Sequence, residues 1–248
     1  MEIELDNGFQ FGLGAFETIA VEQGKPIFLD RHLKRLERAA DFFGLGTLKK
    51  RGITRETVAE YLENLEKENK AELRHGGLKI MLSEKNVVFQ MRLNHYMPEM
   101  YEQGFVMDFS SVRRNETSPL IYHKTMNYGD CILEKRAAAS RGMQESIFLN
   151  TKGEIAEGTV SNIFFVRQGE LITPKKSCGL LPGIIRGYLL DTEKVKEGVI
   201  RPEELEQFEE CFVTNSLMGI MPVKRLGTVT FAQSEISRRL REKLSAAF

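Results

Sequence analysis

Apolar residues in this chain come in short runs, and that limits the fold more than any other property of the sequence. Phe16-Glu17-Thr18-Ile19-Ala20-Val21, Leu78-Lys79-Ile80-Met81-Leu82 and the stretches 87–93, 105–112 and 211–214 read as extended strands. Turn signals such as Gln23-Gly24-Lys25, Lys152-Gly153 and Gln168-Gly169 break them up. No run reaches the roughly 18 apolar residues that a membrane span needs. Amphipathic helices alternate with the strands. Asp30 can cap a helix whose apolar positions, Leu33, Leu36, Ala40 and Phe43, are spaced three or four apart, and Gly44 and Gly46 end it. A second follows Thr54, with Val58, Tyr61, Leu62 and Leu65 on one face. Such a mixture predicts an α+β protein.

The polar segment Arg113-Arg114-Asn115-Glu116-Thr117-Ser118-Pro119 divides the pattern. It is the expected connection (113–119) between an N-terminal α+β lobe, 1–112, and a larger C-terminal lobe, 120–248. Beyond it the pattern restarts with a helix over 129–140 and a strand over 146–149. Hairpin-like strands follow over 155–166 and 170–173, and helices begin near Pro182 and after Pro202. A last helix from about Ser234 puts Ile236, Leu240 and Leu244 on one stripe.

Composition removes several functional classes. With 248 residues, 42% hydrophobic and 28% charged, the chain can bury a core and is not disordered. Lys plus Arg (35) balances Asp plus Glu (35), so no basic footprint points to nucleic acid. The acidic, alternating start, Met1 to Asp6, does not read as a signal peptide. Cys131, Cys178 and Cys211 are far apart and form no disulfide or zinc pattern, and His32, His75, His95 and His123 have no metal-ligand spacing. The expectation is a cytoplasmic protein with no metal and neither membrane nor nucleic-acid partners.

Four local features carry possible chemistry. Lys124, in Tyr122-His123-Lys124-Thr125-Met126-Asn127-Tyr128, lies among aromatic and apolar neighbours, where partial burial would make a neutral amine available as nucleophile and base. Glu157 opens Glu157-Gly158-Thr159-Val160-Ser161-Asn162, a stretch of small residues and hydroxyls that admits a ligand close to the backbone. There a carboxylate can hold a ring nitrogen in its protonated form. Leu180-Leu181-Pro182-Gly183-Ile184-Ile185-Arg186 runs from a turn into a helix start, whose open N–H groups suit a phosphate. Arg35, in His32-Leu33-Lys34-Arg35-Leu36, sits beside the apolar stripe of its helix and can point into a cleft or into water.

In chain order these features, with Phe11-Gly12-Leu13-Gly14-Ala15-Phe16-Glu17-Thr18 before them and Val213-Thr214-Asn215-Ser216-Leu217-Met218-Gly219-Ile220-Met221-Pro222-Val223 after, resemble the fold-type IV pyridoxal-phosphate enzymes. The resemblance implies a two-lobed fold, like that of D-amino-acid aminotransferases, with a mostly antiparallel, barrel-like sheet in the larger lobe. It implies pyridoxal 5'-phosphate as cofactor, a small-molecule substrate bearing carboxylates, and a homodimer. Lys124 falls where the family's lysine takes the cofactor aldehyde, and Glu157 where its carboxylate faces the pyridine nitrogen. Arg35, the backbone of Ile184 and Ile185, and the Ser216 hydroxyl match the phosphate cradle, and Ser161 and Asn162 belong to the same cofactor set.

Within the family the likeness is to the 4-amino-4-deoxychorismate lyases, which release 4-aminobenzoate and pyruvate for folate synthesis. Branched-chain aminotransferases carry a glycine pair after the lysine and a Gly-Thr-Ala-type late turn; here the residues are Lys124-Thr125-Met126-Asn127 and Asn215-Ser216-Leu217-Met218. The Arg-x-His pair of D-amino-acid aminotransferases is met only by Arg92-Leu93-Asn94-His95, with one residue too many. Thr18 and Asn215 match the lyases, and Thr18 joins Lys124 in the expected catalytic set while both orient substrate. Arg113 and Arg114 are the expected partners of the substrate carboxylates. Glu17 stands where some of the lyases read Phe-Thr-Thr, and the Glu17 form also occurs in aminotransferases, which keeps a transaminase as the alternative.

Overall fold

A four-stranded antiparallel sheet in the order β2–β1–β3–β4 is built from β1 (Gly14–Glu22), β2 (Lys25–Pro26), β3 (His75–Ser83) and β4 (Val87–Leu93). Side chains alternate between its faces. Ala15, Ile19 and Val21 of β1 join Leu78, Ile80 and Leu82 of β3 on one buried face, because the register pairs Ala15 with Leu82 and Ile19 with Leu78. After the short α1 (Asn7–Phe11), helices α2 (Leu29–Phe43) and α3 (Arg55–Lys67) cover that face with Leu36, Ala39, Ala40, Val58 and Leu62. Each leucine or valine among them contributes about 1.5–3 kcal/mol when fully buried. Thr54 caps α3 in a reciprocal box with Thr57 (3.2 and 2.9 Å). Asp30 does not cap α2 as expected. Phe28, at φ +53°, turns the chain into the helix, and Asp30 lies in the first turn, paired with Arg55.

The computed structural model describes residues 2–68, 70–232 and 234–247. They divide into two units, 1–95 with 123–127 and 96–122 with 128–248. The first holds the sheet just described.

The second unit is organised by a larger sheet. After α4 (Pro98–Gln103) come β5 (Phe105–Arg114), α5 (Gly129–Ser140), β6 (Glu145–Asn150), β7 (Ile155–Gly158), β8 (Asn162–Arg167) and β9 (Glu170–Pro174). Then follow α6 (Ile184–Thr192), β10 (Val195–Gly198), β11 (Glu210–Asn215), β12 (Gly219–Leu226), β13 (Val229–Thr230) and α7 (Glu235–Ser245). The strand order is β10–β9–β8–β11–β12–β5–β6–β7, with β13 on β12. β7 and β8 are joined by only three residues yet stand five places apart. Flat, that gap would be about 24 Å, beyond the roughly 15 Å the link can span. The sheet therefore curls into a half-barrel. Its inner surface is filled by Met107, Ile147, Ile163, Phe165, Val213 and Met221.

One placement needs correction. β5 was assigned to the first lobe, ending at 112, but runs to Arg114 and lies inside the second sheet, between β12 and β6. The sheet is mostly antiparallel, as expected, though not purely so: β5 is parallel to both neighbours and β10 is parallel to β9, while the remaining pairs are antiparallel.

Candidate active site

In the first unit, the segment carrying Lys124 is sewn to the start of β1. Phe16 N–H donates to the Lys124 carbonyl (2.9 Å), Met126 N–H to the Gly14 carbonyl (2.8 Å), and Asn127 Nδ2 to the Gly12 carbonyl (2.8 Å). The two glycines are there for room. A Cβ on Gly14 would lie 2.6 Å from Met126 Sδ, and one on Gly12, which also has φ +71°, 2.9 Å from Asn127 Oδ1. The Gly12-Leu13-Gly14 and Lys124-xx-Asn127 motifs are thus two halves of one joint. His123 stacks on Phe42 (4.3 Å between centroids) and steadies its other end. Lys124 Nζ stands 4.6 Å from the centre of the Phe16 ring, and Thr18, half-buried, follows on the same face of β1.

Glu17 points to the opposite, core face, fully buried. Arg35 Nε and Nη2 donate to its two oxygens (2.6 and 2.7 Å), and His32 Nδ1 donates to Oε2 (2.7 Å). Burial alone would raise the Glu17 pKa; the Arg35 guanidinium and then His32 reverse this and hold it down to about 2. Burial drives His32 the other way, below the ordinary histidine range and so neutral, against the pull of Glu17. Arg35 is therefore not at the helix surface but buried against a carboxylate.

In the second unit Glu157 is 4% exposed and held at both oxygens. Arg114 Nη2 donates to Oε1 (2.8 Å) and the Leu181 N–H to Oε2 (3.0 Å). The Arg114 guanidinium also lies 4.5 Å from the Phe148 ring centre and 3.1 Å from Cys131 Sγ. Burial would lower its pKa, but Glu157 overrides this and raises it. Arg113, next along β5, points the other way and is exposed.

Leu181 connects this carboxylate to the start of α6. Its carbonyl accepts from Asn162 Nδ2 (2.9 Å), and Asn162 Oδ1 fills the space beside Gly183, 2.0 Å from where a Cβ would be. No side chain caps α6, whose first residues, Ile184 and Ile185, are buried. Ser161 Oγ donates to Glu145 Oε1 (2.9 Å), so Ser161 and Asn162 both brace the loop after Glu157. Asn215 Oδ1 accepts from the N–H groups of Leu217 and Met218 (2.9 Å each), shaping the hairpin turn that presents Ser216; its Nδ2 meets Tyr96 Oη at 3.3 Å.

The sequence reading missed three of these side chains: Glu17, which binds Arg35, His32, which binds Glu17, and Tyr128. The Tyr128 hydroxyl donates to the Thr159 carbonyl (3.4 Å), and burial, then Cys131 and Glu157, push its pKa well up. A phenol four residues after Lys124 was the available signal. No group of histidine, cysteine or carboxylate side chains suited to a metal occurs among the described residues, and none of their helices is long and apolar enough to cross a membrane.

A curled mixed sheet carrying a clamped carboxylate and an uncapped helix start, in one chain with a lysine docked on a separate antiparallel sheet, defines a class of two-lobed α+β enzyme. The class is confirmed by comparison: the Amino-transferase class IV family model matches residues 14–226, and the chain belongs to that family of pyridoxal-phosphate enzymes, which includes lyases and transaminases. It is 29% identical over 248 residues to the aminodeoxychorismate lyase of Bacillus subtilis (91% of this chain, 82% of the relative). It is 31% identical over 231 residues to a probable branched-chain-amino-acid aminotransferase of Thermotoga maritima (89% and 80%). Among solved structures, a putative 4-amino-4-deoxychorismate lyase of Legionella pneumophila superposes with a TM-score of 0.86 at 27% identity, covering 100% of this chain and 96% of that one.

Proposed function

We propose that this protein is a pyridoxal 5'-phosphate-dependent lyase that converts 4-amino-4-deoxychorismate to 4-aminobenzoate and pyruvate, acting as a cytoplasmic homodimer in the supply of folate. The residues present fit the cofactor. Glu157 is a buried carboxylate held in one orientation by Arg114 and Leu181, as a partner for a ring nitrogen must be. The uncapped start of α6, kept close by Gly183, suits a phosphate. Lys124 is assigned to the aldehyde, and Arg35, the Ile184 and Ile185 N–H groups and Ser216 to the phosphate. When bound, the cofactor supplies an electron sink conjugated to the substrate amine.

The chain's own groups do the rest. Lys124 Nζ removes the proton from the amine-bearing ring carbon and then returns a proton to the methylene of the departing three-carbon unit. Aromatisation of the remaining ring drives the elimination. Thr18 and Asn215 orient the substrate, Asn215 through its Nδ2, since its Oδ1 is committed to the turn. Arg114 is committed to Glu157, which leaves the exposed Arg113 as the carboxylate partner within that pair.

The observation that carries the lyase reading over the transaminase is the turn locked by Asn215. Its side chain makes both turn hydrogen bonds, a construction unavailable to the Gly-Thr-Ala turn of the branched-chain enzymes. The Thermotoga relative keeps the transaminase as the second reading. Aminodeoxychorismate given alone should yield 4-aminobenzoate and pyruvate in equal amounts, while D-alanine, L-leucine or L-glutamate with a keto acid should exchange little. Rapid amino-group exchange without 4-aminobenzoate would refute the lyase.

A further inference from the structure

Glu17 is a motif residue that departs from the Phe-Thr-Thr of some lyases, and the reaction just described gives it no task. Its geometry does. Period two puts it in the buried row of β1, between Ala15 and Ile19, where a carboxylate is costly unless fully paired. It is paired three times, by two Arg35 nitrogens and by His32 Nδ1. The side-on fork onto Arg35 fixes the guanidinium plane. His32 is 1% exposed, and its Nε2 has no hydrogen-bond partner among the described residues. A proton there would add a third cation to Arg35 and Lys124. Neutral, His32 donates one hydrogen bond and leaves the charge of Glu17 to Arg35.

We propose that Glu17, seconded by His32, is a positioning residue that orients Arg35 and thereby sets the preference of the site for a phosphate-bearing cofactor. The proposal rests on the assignment of Arg35 to the phosphate. It also removes Glu17 from the choice between lyase and transaminase, because its side chain lies on the face of β1 opposite Phe16 and Thr18.

The test compares pyridoxal 5'-phosphate with pyridoxal, which offers the same aldehyde without the phosphate, binding to the full chain stripped of cofactor. The readout is the ratio of the two dissociation constants. Glu17→Gln should lower the phosphate preference on the order of tenfold while leaving pyridoxal affinity near the wild-type value. Arg35→Gln should lower it at least as much, and the double variant no further than Arg35→Gln alone. A wild-type ratio in Glu17→Gln beside a reduced one in Arg35→Gln would overturn the positioning role and spare the phosphate assignment. A wild-type ratio in Arg35→Gln would overturn both. Equal weakening of the two ligands by Glu17→Gln would show a merely structural residue and overturn the proposal. Should Glu17→Gln not fold, His32→Asn, which spares the ion pair, should lower the ratio roughly two- to threefold; an unchanged ratio there is equally fatal.

Discussion

Glu157 has each oxygen held by a different donor, so its position is set by the protein before any ligand arrives. On the proposed function, Glu157→Gln keeps the shape but loses the charge that would favour a protonated ring nitrogen. Turnover should fall by about two to four orders of magnitude, on the scale of removing a key electrostatic stabiliser, while cofactor remains bound through its phosphate. Steady-state rates beside an absorbance titration of the cofactor check both halves. Glu17 gives a prediction in pH. Its folded pKa, about 2, lies below the ordinary 4.5, so between these values the unfolded chain binds the extra proton. The stability it contributes is whole above the ordinary value and is lost as pH falls toward 2. Denaturant midpoints measured across that window should drop more steeply for the wild type than for Glu17→Gln. Lys124, Glu157 and Arg35 stand out in the sequence as candidates by residue type and motif. Their partners could not. Arg114 reaches Glu157 across 43 residues of chain, and only the pairing of β5 with β6 and of β6 with β7 brings the two together.

At the scale of elements, local chemistry and pairing differ in how far sequence reveals them. α2 and α3 follow directly from apolar spacing, and the Thr54 cap from its residue type. β5 is legible as a strand but its place in the sheet is not, because it pairs Phe105 with Val223 on one side and Met107 with Glu145 on the other, and no local pattern encodes such distant pairing. The stretch 155–166 reads as continuous, yet breaks at Gly158, where a Cβ would lie 2.3 Å from Ser161 Oγ and 2.4 Å from Glu145 Oε1. The start of α6 offers a direct test. Gly183 has an ordinary φ of −68°, so alanine there meets no backbone strain, only Asn162 Oδ1. Because Asn162 is tied to the Leu181 carbonyl, Gly183→Ala should displace both and cost about 1–3 kcal/mol. Cofactor affinity should fall with it. Asn162→Ala on the same background should recover part of the loss in a thermal melt, since it removes the clash.

Across the whole molecule the chain runs from the first unit to the second, back for residues 123–127, and out again, so the lysine segment belongs to the lobe that holds β1 rather than to its sequence neighbours. The expected division at 113–119 follows composition. The grouping of 123–127 with β1 follows hydrogen bonds such as Met126 to Gly14, which composition does not disclose. Class IV enzymes use one scaffold for elimination and for amino transfer, and the two differ in what the cycle leaves behind. A lyase ends each cycle ready for the next, whereas a transaminase without a keto-acid acceptor stops when every site holds the amino group. The decisive measurement is therefore the number of turnovers per subunit with aminodeoxychorismate as the sole substrate and lactate dehydrogenase with NADH removing pyruvate as it forms. Many turnovers, with one 4-aminobenzoate for each NADH consumed, are the predicted result; no more than one amino-group transfer per subunit, with no 4-aminobenzoate, would contradict it.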